Sequence, residues 1–173
     1  MGRFLNLVVA LLIAGPLLAY AEAENVLSVF VSEIKRQGSL DLPSPVTVTA
    51  RAQFKGGTPI LSLRLTNVSD RPVSLIETHL PWGHPDSLII AAQTTDGRRL
   101  INHYPIEDHF FAKDLSIAPG QSLEGDYDLN YRLARIPRDR DVILMWAYPL
   151  LERDRSRPWP IVTGVVVIPR AVK

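Results

Sequence analysis

Cysteine is absent from this sequence, so disulfides, thiolate metal sites, a cysteine nucleophile and a lipidated cysteine tether are all excluded. An excess of one charge is absent too. The chain carries 19 Lys and Arg against 18 Asp and Glu, for a formal net charge of +1, and the basic residues are interleaved with acidic ones. That balance lacks the basic footprint of a nucleic-acid partner. Disorder is equally unsupported, because 46% hydrophobic against 21% charged residues is ordinary for a packed core. The sequence contains no His-Glu-x-x-His and no Gly-x-Ser-x-Gly, the spacings that announce a zinc peptidase or a serine hydrolase. Proline, by contrast, is plentiful. Its 14 copies, several beside the ends of apolar runs, argue against a helical bundle, since proline removes a backbone donor and interrupts helices.

Long apolar runs are missing everywhere except at the start. Arg3 precedes an apolar stretch over residues 4–18 that Gly15 and Pro16 interrupt, the order of a secretory signal. Two overlapping small-x-small sites follow, Ala19-Tyr20-Ala21 and Ala21-Glu22-Ala23, so residues 1–21 read as a signal peptide cleaved after Ala21 or Ala23. An uncleaved anchor is the competing reading, but the stretch is shorter than the roughly 20 apolar residues of a spanning helix. The mature chain is thus expected in the periplasm or outside the cell, with no transmembrane segment. About 150 residues remain, the size of one domain.

Within that chain, residues 22–45 read as an N-terminal strand and a Gly/Ser/Pro linker, with the β-branched Val29 and Val31 tilting residues 26–34 from helix toward strand. Residues 46–173 read as the main domain. Val46, Val48, Ala50 and Ala52 alternate with Thr47, Thr49, Arg51 and Gln53. Beyond the Gly56-Gly57 turn, Leu61, Leu63 and Leu65 alternate with Ser62, Arg64 and Thr66. These are the two halves of a hairpin. Similar runs surround Val73, Leu115 and Leu123. Asp-Gly at residues 96–97 is a hairpin turn signal, residues 102–114 lack periodicity and read as a loop, and residues 141–148 and 161–168 are apolar enough for strands buried on both sides, with Trp146 as the core aromatic. Seven to nine short strands, with no helix alternating between them, predict an all-β fold, an antiparallel β-sandwich, with a barrel as the alternative.

The runs Ser62-Leu63-Arg64-Leu65-Thr66-Asn67-Val68-Ser69-Asp70-Arg71-Pro72-Val73, Thr95-Asp96-Gly97 and Leu115-Ser116-Ile117-Ala118-Pro119-Gly120-Gln121-Ser122 resemble immunoglobulin-like accessory domains of secreted bacterial proteins. A similar arrangement occurs in the β-sandwich pro-region of some secreted metallopeptidases and in small β-sandwich proteinase inhibitors. The resemblance implies an immunoglobulin-like sandwich. It lies in turn chemistry and implies no activity.

Three kinds of site can be named. Trp82, with His84 beside it, and Trp159, with Arg157 beside it, stand in proline-stiffened segments, where an aromatic offers contact area at little entropy cost; folding back to cap the core is the favoured alternative for each tryptophan. His79, His84, Asp86, His103 and His109 cluster in sequence and could supply a zinc or copper site, although they fit no metal motif. Residues 132–140 and 152–157 are mixed charge clusters that read as solvated faces, with a row of arginines that meets an acidic partner as the alternative. Asn67-Val68-Ser69 fits a glycosylation acceptor but is read as a turn. The favoured function is an exported module, with no catalytic activity and no cofactor, that binds or assists another periplasmic or extracellular protein. A metal-binding protein comes second and a small secreted hydrolase third.

Overall fold

The computed structural model describes residues 17–100, 102, 113–152 and 158–171, with side chains from residue 26 onward. Its elements in order are helix α1 (Leu17–Gln37) and strands β1 (Gly38–Ser39), β2 (Val46–Lys55), β3 (Thr58–Asn67), β4 (Val73–Ile76), β5 (Ile89–Thr94), β6 (Asp114–Ile117), β7 (Ser122–Asp128), β8 (Val142–Pro149) and β9 (Trp159–Ile168). The protein is mostly β. The strands form three sheets, ordered β1-β9-β8-β5, β2-β3-β7 and β4-β6.

The β2-β3 hairpin turns at Gly56 and Gly57, whose φ values of 57° and 88° are those a tight two-residue loop demands. Alternation then sorts the side chains. Leu61, Leu63 and Leu65 are buried, while the opposite face carries in-register polar pairs: Ser62 donates to Asp126 at 2.7 Å, Thr66 and Ser122 share a hydrogen bond of 2.8 Å, and Arg64 faces Glu124. Leu65, Val73, Ile117, Leu144, Trp146 and Tyr148, drawn from all three sheets, belong to one core.

β8 is apolar on both faces because it is covered on both. Leu144, Trp146 and Tyr148 enter the shared core, whereas Met145 and Ala147 point the other way, into a second cluster with Ile89, Ile161 and the helix residues Val26, Phe30 and Ile34. Here the structure corrects the expected strand over residues 26–34. Val26, Phe30 and Ile34 recur every four residues, a helical stripe that buries against the sheet, and tertiary burial outweighs the β-propensity of Val29 and Val31. The helix ends in Lys35 and Arg36, cations that suit its carboxyl end.

The linker differs as well. Gly38 and Ser39 pair in parallel with Trp159 and Pro160, an exception to the otherwise antiparallel ladders. A Cβ on Gly38 would stand 2.3 Å from the Trp159 carbonyl oxygen, so only glycine permits this approach. Arg135 is the one described non-glycine residue with positive φ, 57°. Both small-x-small sites, at residues 19–21 and 21–23, fall inside α1, residues 1–16 lie outside the described residues, and among the described residues no helix is long and apolar enough to cross a membrane.

Phe30 is buried with no strand ladder of its own, so its contacts are side-chain packing alone. Phe30→Ala is expected to destabilise the protein by about 3 kcal/mol, read as a lower urea midpoint. An unchanged midpoint would show that the helix contributes nothing to stability.

Candidate functional site

The segment joining β4 to β5 holds Trp82, His79, His84 and Asp86, and each is engaged by the fold. In the inward-facing row Leu123, Gly125, Tyr127 of β7, Gly125 leaves a gap, and the Trp82 indole fills it: a Cβ on Gly125 would fall 2.2 Å from the ring. Trp82 is half-buried against the core. The Tyr127 hydroxyl donates to the Pro85 carbonyl, and the Ser87 hydroxyl donates to the Thr78 carbonyl at 2.9 Å. His84 Nδ1 accepts the Asp86 backbone N–H at 3.1 Å, capping the short 3-10 turn of Pro85–Ser87. His79 Nδ1 stands 3.3 Å from the Leu151 carbonyl, and its own carbonyl accepts the Tyr148 hydroxyl at 2.8 Å. Burial pushes that phenol well above the ordinary tyrosine range.

Asp86 accepts a hydrogen bond from Arg132, whose guanidinium is almost wholly buried while the carboxylate is exposed. The arginine-rich segment is therefore partly structural. Arg138 donates to the Gly57 carbonyl at 2.6 Å and lies over the Phe54 ring, 5.7 Å from its centroid. Arg140 bridges Asp96 at 2.6 Å and Asp139 at 2.8 Å. Two contacts tie this part of the chain to the part before it: the antiparallel Asn102–Leu133 bridge, and the Thr95 N–H donating to the Asp141 carbonyl.

Where these segments meet α1 there is a cavity of about 50 Å³. Val26, Phe30, Ile89 and Ala91 supply apolar lining, and Glu33, Arg99, Asn102 and Arg132 supply the polar part. Asn102 is fixed by donating to the Ile90 carbonyl at 2.7 Å. The hydrogen bond from Arg36 to Glu33, at 2.5 Å, outweighs desolvation and holds the Glu33 carboxyl below its ordinary 4.5, with Gln37 and the charge of Arg132 helping.

Of the residues singled out from sequence, the structure gathers His79, Trp82, His84 and Asp86 on one segment and puts half-buried Trp159 at the start of β9, beside β1. Arg157, His103 and His109 lie outside the described residues. Among the described residues no three His, Asp or Glu side chains stand together as a metal site. The glycosylation-like Asn67 is wholly buried; its amide donates to the Arg71 and Ile117 carbonyls and its oxygen accepts from Ser69, as expected of a turn residue. The helix-lined cavity was not anticipated. Its signal was the four-residue spacing of Val26, Phe30 and Ile34. No protein-family model and no curated protein matches this chain.

Gly125→Ala is expected to push Trp82 out of its seat, shifting tryptophan emission to longer wavelength and lowering the urea midpoint; unchanged emission would mean that the indole is not held there. A second expectation concerns acid. Because the Glu33 carboxyl is depressed in the folded state, its stabilising contribution is complete above about pH 4.5 and is lost as pH falls through the lower folded value. Asp96, Asp126 and Asp139, held below 3.8 by Thr94, Lys55 and Arg140 respectively, extend the loss downward. Glu33→Gln should remove the upper part of this acid limb in urea midpoints measured from about pH 6 to about pH 3. An identical limb in the variant would refute the assignment.

Proposed function

We propose that the protein is an exported, non-catalytic immunoglobulin-like β-sandwich that binds or assists another protein of the periplasm or extracellular space. The observation that carries this reading is the cavity between α1 and β5, where apolar lining from Val26, Phe30, Ile89 and Ala91 adjoins exposed Arg99. A small hollow with an apolar wall and a polar rim has room for about one side chain of a partner, as at the centre of an interface. Exposed Val29, at 46%, extends the apolar surface at its edge. The chemistry-bearing residues of the 77–87 segment, in turn, hold backbone: His84 caps a turn, Asp86 meets Arg132, and His79 lies against the β8-β9 connection. The immunoglobulin-like reading is supported by Trp146, an aromatic on a central strand that is buried in the shared core.

Export accords with the leader and with the helix it leads into. Cleavage after Ala21 would open the mature chain at Glu22, placing the sequence's acidic residues at the amino end of the remaining helix, where the peptide dipole favours negative charge. Cleavage there leaves Val26, Phe30 and Ile34 intact.

The full coding sequence expressed in an exporting bacterial host should give a protein released by osmotic shock whose mass begins at Glu22 or Glu24. A photo-crosslinking amino acid at Val29 should yield a discrete protein adduct in those cells, and one at Thr49, on the outer face of β2, should not. Retention of the leader would overturn the cleavage, and equal labelling from both positions would overturn the binding site.

A further inference from the structure

We infer that the partner presents an acidic segment with one small aliphatic side chain, and that it docks along the arginine surface beside the α1–β5 cavity. This rests on the binding reading above and specifies its chemistry. Residue 102 pairs with residue 133 and residue 95 with residue 141, and the described residues between these contacts, with the adjoining residue 132, carry Arg98, Arg99, Arg132, Arg135, Arg138 and Arg140. Three of these are committed to the fold: Arg132 to Asp86, Arg138 to the Gly57 carbonyl and Phe54, and Arg140 to Asp96 and Asp139.

Arg98, Arg99 and Arg135 are exposed and make no hydrogen bond or ion pair through their side chains among the described residues. Arg98 acts on the Asp139 carboxylate, which is already bonded to Arg140. The chain as a whole is almost neutral, so this is a local excess of cations rather than a reflection of bulk charge. Arg135 adds a second mark. Its backbone is held at φ 57°, a conformation that costs a non-glycine residue free energy and that recurs where a side chain is presented for recognition.

The cavity decides among anionic partners. Arg99 belongs to both the arginine surface and the cavity wall. A ligand satisfying both supplies carboxylates for the guanidinium groups and an apolar group for the hollow, and a peptide does this within a few residues. A nucleic-acid backbone has no aliphatic side chain, and a flat lipid surface does not reach into a hollow. Glu33, bonded to Arg36, also lines the cavity, so a partner carboxylate is repelled by it and drawn toward Arg99.

The test uses the protein purified from its exporting host and short fluorescein-labelled peptides of glutamate and glycine around one central valine, with versions replacing valine by serine or glutamate by lysine. Anisotropy should show saturable, salt-sensitive binding of the glutamate–valine peptide, weaker binding of the serine version and none of the lysine version. The exposed pair Arg99→Gln with Arg135→Gln should weaken binding roughly tenfold with an unchanged circular dichroism spectrum, while Arg64→Gln on the far sheet should leave it intact. No saturable binding, or equal binding by the double variant, overturns the inference. Preference for phosphatidylglycerol vesicles over the peptide overturns it in favour of a membrane surface. Because the crosslink from Val29 is read without any assumed ligand chemistry, an adduct there with no peptide binding would refute the acidic partner and leave the binding reading standing.

Discussion

Everything in this fold is arranged around a strand that cannot face water on either side. Residues 142–149 of β8 offer apolar groups alternately to two faces, and a sheet built on such a strand needs two covers. One cover is made by the β2-β3-β7 and β4-β6 sheets. The other is α1, and without it Met145, Ala147, Ile89 and Ile161 would lie open to solvent. The cavity, the Arg132–Asp86 pair and the short parallel contact of β1 all lie where that second cover meets the sheet or the loops at its rim.

Much of the sheet structure was legible in the sequence because strand periodicity and turn chemistry are local. The alternation of residues 46–53 and 61–66, the Gly56-Gly57 turn, the Pro119-Gly120 turn, whose glycine has φ 74°, and the doubly buried β8 follow from side chains near one another along the chain. The Asp96-Gly97 turn is found too, but only Gly97 takes positive φ and the pairing beyond it reduces to a single bridge at Gln93 and Arg99. Helix α1 escaped because Val29 and Val31 carry β-propensity while the deciding interaction, burial of Phe30 on a sheet completed far later in sequence, is non-local.

The site was less legible than the fold for the same reason. Sequence clustering of His79, His84 and Asp86 does not show where each side chain points; the connecting segment sets His79 against a carbonyl, His84 on a backbone N–H and Asp86 on an arginine. The cavity draws on α1, β5 and the arginine segment, and no single stretch contains its pattern. Trp82 illustrates the difference in scale: its proline-flanked setting is visible at once, whereas the vacancy it fills is a glycine on another strand.

The sequence separation between α1 and the strands it rests on bears on how the molecule is made. The helix stripe of Val26, Phe30 and Ile34 is synthesised well before the surface it rests on, which includes Ile161. During vectorial synthesis the helix therefore waits, with its greasy side uncovered, until β9 has emerged. Such contacts, widely separated in sequence, slow folding and lengthen the interval in which a nascent chain depends on a chaperone.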